Sequence, residues 1–240
     1  FYAASGLSSA SLNIDQTFVA FAQSSTGYDN GSVWLDSAGS NTNTVVGVDG
    51  VATNPVSTIA AATTLVDKLN LHRLTVEPGT SITFAQDYSN LFFIGEGWTL
   101  AAGGRDLSSC HFIEAEVSGT FTCATGSTDW HRCEIGAVSI GQSDFHECKI
   151  IGPVTIGEAT DYQFIDCVSG VAGSGSPTID LGAAVGATTL EFRRWSGGLT
   201  LNNVSAGDVI SVDAVSGGTI TINGTGGSVD VRGTLKAVND

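Results

Sequence analysis

Asp129 and Asp144 are the residues of this sequence best placed to do chemistry. Each stands immediately before an aromatic residue in a repeated hexad: Trp130-His131-Arg132-Cys133-Glu134-Ile135 and then Phe145-His146-Glu147-Cys148-Lys149-Ile150. If successive copies stack in register, the two carboxyl groups become neighbours one strand spacing apart, ~4.8 Å. Two carboxylates that close suit a glycosidase of the retaining kind, and wider ones an inverting enzyme. The same pair could instead share a Ca²⁺ ion. A plainer account carries more weight: short Asp side chains open strands after turns, where they bond the local backbone. Glu114 and Glu116 form a second acidic pair, two apart on one strand and read as solvated. His111, His131 and His146 never fall into a zinc-ligand motif with the five cysteines, so no metal or other cofactor is expected.

A third copy of the hexad, Phe164-Ile165-Asp166-Cys167-Val168, follows the second, and Phe192-Arg193-Arg194-Trp195 is a looser fourth with Trp in place of Cys. Simple strand alternation starting from an inward Cys puts Trp130, Arg132, Phe145, Glu147, Phe164 and Asp166 outside, with Arg132 beside Glu147 on the next coil. Such a row is a candidate sugar platform or subunit interface, since aromatics and Arg are enriched in both settings. A parity slip at a bulge would turn the rings into the core instead, and the fourth copy argues for that, because strict parity points Arg193 inward. Cys133, Cys148 and Cys167 then form one internal ladder of reduced thiols, and His131 and His146 a stacked pair at the core margin.

After each copy comes a Gly- or Pro-led strand with apolar residues two apart: Val138/Ile140, Val154/Ile156, Ile179/Leu181 and Leu199/Leu201. Ile210/Val212, Ile220/Ile222 and Val229/Val231 continue the series. Period-two strands recurring about once per coil predict a β-solenoid. The composition agrees: Gly supplies 31 of 240 residues, Met is absent, and charged residues are only 14%. The balance of 24 acidic against 9 basic residues, net −15, argues against nucleic-acid binding. No apolar run approaches the ~20 residues of a membrane-spanning helix. Asn203 and Asn223 each open an Asn-X-Ser/Thr triplet of the kind that chance readily produces in a chain so rich in Ser and Thr.

Three segments are expected. Residues 1–32 form an N-terminal arm or attachment segment. Residues 33–106 enter the solenoid and carry one amphipathic helix over 55–70, with Asn54 as N-cap, Pro55 in the first turn, and Ile59, Ala62, Leu65, Val66 and Leu69 on one face. Residues 107–240 are the repetitive coils. The open end of a solenoid exposes core and sheet edges, and the helix is suited to cover it.

The run Asn54-Pro55, Ser57-Thr58-Ile59-Ala60-Ala61-Ala62, then a strand closed by Pro78-Gly79, resembles the entry to pectate-lyase-like right-handed parallel β-helices, a superfamily that includes bacteriophage tailspikes and tail fibres. The resemblance covers about residues 33–233 and rests on pattern. It implies an all-β, right-handed parallel β-helix with one N-terminal capping helix. It further implies a non-enzymatic virion protein, tail-fibre or tailspike-like, located in the phage tail. Such a protein would form a homotrimer, contact other tail or capsid proteins, and engage a receptor or glycan on the host surface. The alternatives are a polysaccharide depolymerase, hydrolase or lyase, using Asp129 and Asp144, and a capsid decoration or head fibre. Against catalysis, the chain has neither an adjacent Asp-Asp pair nor a Gly-His-Gly turn, and Arg132, Arg193, Arg194 and Arg232 sit in no recognisable acidic context.

Overall fold

A computed structural model of the chain describes residues 28–170, 176–182 and 186–231. The fold is an all-β parallel β-solenoid with a single short α-helix among the described residues, matching a right-handed parallel β-helix. Residues 12–21, Arg232 and most of the expected N-terminal arm lie outside the described residues. The chain divides into two compact units, residues 1–80 and 81–240.

In the first unit, strand β1 (Ser32–Leu35) pairs in parallel with β2 (Arg73–Val76), Val33 opposite Leu74 and Leu35 opposite Val76. Helix α1 (Ile59–Leu69) lies between them in sequence and packs on both strands. It begins four residues later than the pattern predicted. Thr58 is the N-cap, its hydroxyl accepting from the Ala61 amide at 3.2 Å, and Asn70 ends the helix in the left-handed region. The cause is Asp49, a buried carboxylate in the preceding loop. Asn41 and Asn54 both donate to its Oδ1, at 3.1 and 3.0 Å, and the Val45 amide donates to its Oδ2 at 2.8 Å. A buried carboxylate needs such donors. Asn54 is therefore committed to it, and the chain runs extended to Val56, whose amide donates to the Trp34 carbonyl at 3.0 Å. Ala62, Leu65 and Val66 are buried as expected, joined by Ala61, while Ile59 and Leu69 are only half-buried. Gly50 has φ +72°, and a Cβ there would meet the Leu65 side chain at 2.6 Å and that of Val33 at 2.9 Å. The loop thus closes onto the helix through the one residue that fits.

The second unit is built from three-sided coils whose strands, among the described residues, pair in parallel. On the first side the register runs through Phe93, Phe112, Trp130, Phe145, Phe164, Phe192 and Val212. All six aromatic rings are buried. They stack inside the coil with centroids 5.0, 4.4, 6.4, 4.8 and 5.0 Å apart and interplanar angles of 9–14°. The outward platform predicted for Trp130, Phe145 and Phe164 is therefore absent: these rings are core.

The physical reason is a left-handed corner. Glu114, Arg132, Glu147, Asp166 and Arg194 occupy equivalent positions of successive coils with φ between 52° and 60°. A left-handed residue breaks the strand alternation, so two consecutive residues face outward and the residues on either side both face inward. Trp130 and Cys133 are both buried for that reason, as are Phe145 with Cys148, Phe164 with Cys167, and Phe192 with Trp195. Arg193 accordingly lies exposed.

After the corner comes a short second side, on which Glu134, Lys149 and Val168 are register partners. The third side stacks Val138 on Val154 and Ile140 on Ile156, as predicted. Its next step differs. Ile179 pairs with Leu201, two residues away from the expected Leu199, because the buried Pro177 takes the position below Leu199. Leu199 and Leu201 then pair with Ile220 and Ile222.

Candidate functional site

The same strands that bury the aromatic column carry a second column one residue earlier, turned outward: Phe92, His111, Asp129, Asp144, Gln163, Glu191 and Ser211. Asp129 and Asp144 are direct register partners, as the hexad spacing predicted. Two residues further along, His131 and His146 stack with centroids 4.7 Å apart and planes 8° from parallel. They are half-buried on the outer surface of the strand, between the inward rings and the left-handed corner.

Local pairing sets the character of this face. His111 Nδ1 lies 2.8 Å from Asp129 Oδ2, with both side chains about one-quarter exposed. Phe92 covers the His111 ring, the two planes 4° apart at a centroid distance of 4.1 Å. Partial burial raises the Asp144 carboxyl above its ordinary value. The Ser127 hydroxyl, hydrogen-bonded to it, works the other way, and the nearby Asp129 charge adds to the rise. Burial lowers the His131 imidazole, and the neighbouring His146 lowers it further. Glu191 holds Arg193 through two bonds of 2.8 and 2.9 Å.

At the corner, Arg132, Glu147 and Asp166 do face outward. Arg132 donates to Glu114 on the preceding coil at 2.7 Å; Glu147 on the following coil is its electrostatic neighbour and not its hydrogen-bond partner. Asp166 is paired with Arg194, which holds its carboxyl below the ordinary value. Lys149 reaches Glu134 at 2.8 Å. Glu114, Glu116, Arg132 and Glu134, with Glu96, line a surface groove of about 550 Å³. The two glutamates read as merely solvated thus share a concave acidic wall.

The thiol ladder is real. Cys133, Cys148 and Cys167 are free and buried, their Sγ atoms donating to the carbonyls of Phe112, Trp130 and Phe145 at 3.5, 3.3 and 3.4 Å. Burial pushes Cys110 up to about 12 and Cys123 up to about 11, and carries Cys133 and Cys148 well above the ordinary thiol range. Such thiols neither attack nor ligate at neutral pH. Among the described residues, no group of three or more His, Cys, Asp or Glu side chains is placed to hold a metal ion. The Asn203 side chain donates to Asp180 Oδ1 at 2.7 Å, a local bond between coils.

The sequence reading, which set Gln163 and Glu191 at the positions equivalent to Asp129 and Asp144, overlooked Phe92 and His111 as members of that column. The Phe92-Phe93 doublet, 19 residues ahead of His111-Phe112, was the available signal. No protein-family model, curated protein or solved structure matches this chain.

Proposed function

We propose that this chain is a non-enzymatic component of a bacteriophage particle, tail-fibre or tailspike-like, that engages the host surface through the outward face of its solenoid. The supporting observation is how the charges of that face are used. Asp129 is taken by His111, Glu114 by Arg132, Glu134 by Lys149, Asp166 by Arg194 and Glu191 by Arg193. Such charges form a stiff, pre-organised surface suited to recognition, where little side-chain freedom remains to be lost on binding. A homotrimer assembled with other tail or capsid proteins accords with this role.

The depolymerase reading keeps one specific observation in its favour: Asp129 and Asp144 are register partners, and Asp144 is displaced upward in pKa, as a general acid would be. Two measurements decide between them. Native mass with and without SDS at room temperature is expected to report an SDS-resistant trimer. Incubation with bacterial cells is expected to give adsorption without release of oligosaccharide. Fragment release that disappears in Asp144→Ala would replace the binding role with the enzymatic one.

A further inference from the structure

Asn-Gly dipeptides occur at Asn30-Gly31 and Asn223-Gly224, and every other Asn in the chain precedes a residue with a side chain. The two differ in what holds the glycine nitrogen. The Gly31 amide donates to the Tyr28 carbonyl at 2.9 Å. Gly224 ends the strand Ile220–Gly224, whose partner on the preceding coil is Leu199–Val204, with Gly224 opposite Val204. There the Thr225 amide donates to the Val204 carbonyl at 3.0 Å. In a parallel pair bonded that way, the residue opposite points its own N–H and C=O to the other edge. Gly224 therefore turns its N–H toward the open edge of the strand, where no further strand pairs among the described residues. Asn223 beside it is exposed, its side-chain amide donating to Asn202 Oδ1 at 3.0 Å.

Packing fixes the glycine. A Cβ at position 224 would overlap the Val204 carbonyl oxygen, so the nitrogen that follows Asn223 carries no shielding side chain. We propose that Asn223 is a site of spontaneous deamidation, and that its isoaspartyl product loosens the last described coil. This goes beyond the host-surface role and does not rest on it. The Gly224 nitrogen gives its proton to solvent base and attacks Asn223 Cγ. The N–Cγ bond forms, the Cγ–Nδ2 bond breaks, and ammonia leaves with a proton from water. Water then opens the five-membered succinimide at either carbonyl, giving Asp or isoaspartate; the sum is one water taken up and one ammonia released. Isoaspartate inserts one carbon into the main chain just ahead of a closely packed stretch. A Cβ at Gly226 would lie 2.7 Å from the Ala206 nitrogen, and one at Gly227 2.8 Å from the Val204 side chain. Immediately beyond is Ser228–Val231, paired with Val209–Val212 and exposed throughout. A lengthened backbone cannot hold that register, and a strand with so little burial opens first.

The test is ageing of the full chain at mildly alkaline pH, followed by isoelectric focusing, peptide mapping with isoaspartyl detection, and amide hydrogen exchange. A more acidic species is expected to accumulate, faster as pH rises, because attack needs the deprotonated nitrogen. It should map to Asn223, disappear in Asn223→Gln and persist in Asn30→Gln. In the isoaspartyl fraction, residues 228–231 are expected to lose exchange protection while residues 128–146 keep theirs. Freshly purified Asn223→Asp carries the new charge without the extra backbone atom and should keep protection throughout. Acidic product at Asn30 in preference to Asn223, or at neither, overturns the site. Full protection of 228–231 in the isoaspartyl fraction, or equal loss in fresh Asn223→Asp, overturns the loosening.

Discussion

Two columns of side chains run along the same strands one residue apart, and they share almost nothing. The inner one, Phe93 through Phe192, is a stack of six buried rings. The outer one, Phe92 through Glu191, starts with an aromatic ring and continues with an imidazole, carboxyl groups and an amide. In a parallel stack like sits on like, so a residue type that packs well on one coil is reinforced on the next. The inner column can gain from that repetition without limit. The outer column cannot, because repeated like charges repel: Asp129 is paired with His111, and Asp144, stacked directly on Asp129, is raised by partial burial and by that neighbouring charge. Buried packing is thus concentrated in one column and polar, titratable side chains in the other.

The comparison breaks most visibly at Trp130. Its ring is buried between Phe112 and Phe145, so Trp130→Ala should cost about 3–5 kcal/mol in urea unfolding, whereas Phe92→Ala on the outer column should leave the unfolding midpoint nearly unchanged. A loss at position 92 comparable to that at 130 would erase the distinction.

The thiol ladder offers a smaller effect on the inner side. Cys148→Ser exchanges a buried thiol for a more strongly solvated hydroxyl, and a loss of about 1–3 kcal/mol is expected. In the native protein Cys110, Cys123, Cys133, Cys148 and Cys167 should resist a thiol-specific reagent and react only on unfolding, because all are buried. Rapid labelling under native conditions would contradict the inward placement.

The corner that separates the columns is tested by backbone preference. At Arg132, φ is 52°. Replacement by Val should cost about 1–2 kcal/mol, the penalty of a left-handed L-residue with a branched side chain. Replacement by Gly should stay within about 1 kcal/mol of wild type, since it removes that penalty together with an exposed ion pair. Equal losses in the two variants would mean that the corner tolerates side chains freely.

The smallest expected effects are in pH dependence. His131 is lowered in the folded state, so the unfolded chain takes up the proton first, and stability should fall as pH drops through the ordinary value of 6.5 toward the folded one. His131→Gln should flatten that decline. Asp144 is raised, so it contributes stability that is fully present below its ordinary value of 3.8 and is lost as pH rises through the folded value. Asp144→Asn should remove this second slope without touching the first. Unfolding midpoints measured from pH 3 to pH 8 check both signs.

Much of this architecture was readable in the order of residues. The recurrence of Trp130-His-Arg-Cys and Phe145-His-Glu-Cys was enough to stack Cys133 on Cys148, Asp129 on Asp144 and His131 on His146. The direction of the rings was not readable, because direction depends on one backbone angle at the residue between ring and thiol. Arg132 and Glu147 carry no mark that sets them in the left-handed region; Gly, Asn or Asp signals it, as Asp166 does in the third copy, but long charged side chains do not. The start of α1 was misplaced for a different reason: the Asp49 carboxylate, five residues earlier in the same loop, claims Asn54.

Sequence alone determined the periodicity of this protein: parallel coils and, within the Cys-bearing copies, which residues stack on which, since repetition along the chain becomes adjacency in space. Tertiary structure alone decided which members of each repeat face inward and which partners the charges take. Those choices turn on the left-handed corner, on Pro177 taking the place below Leu199, and on donors drawn to the buried Asp49 carboxylate, and each is set by backbone angles and contacts that residue types do not announce.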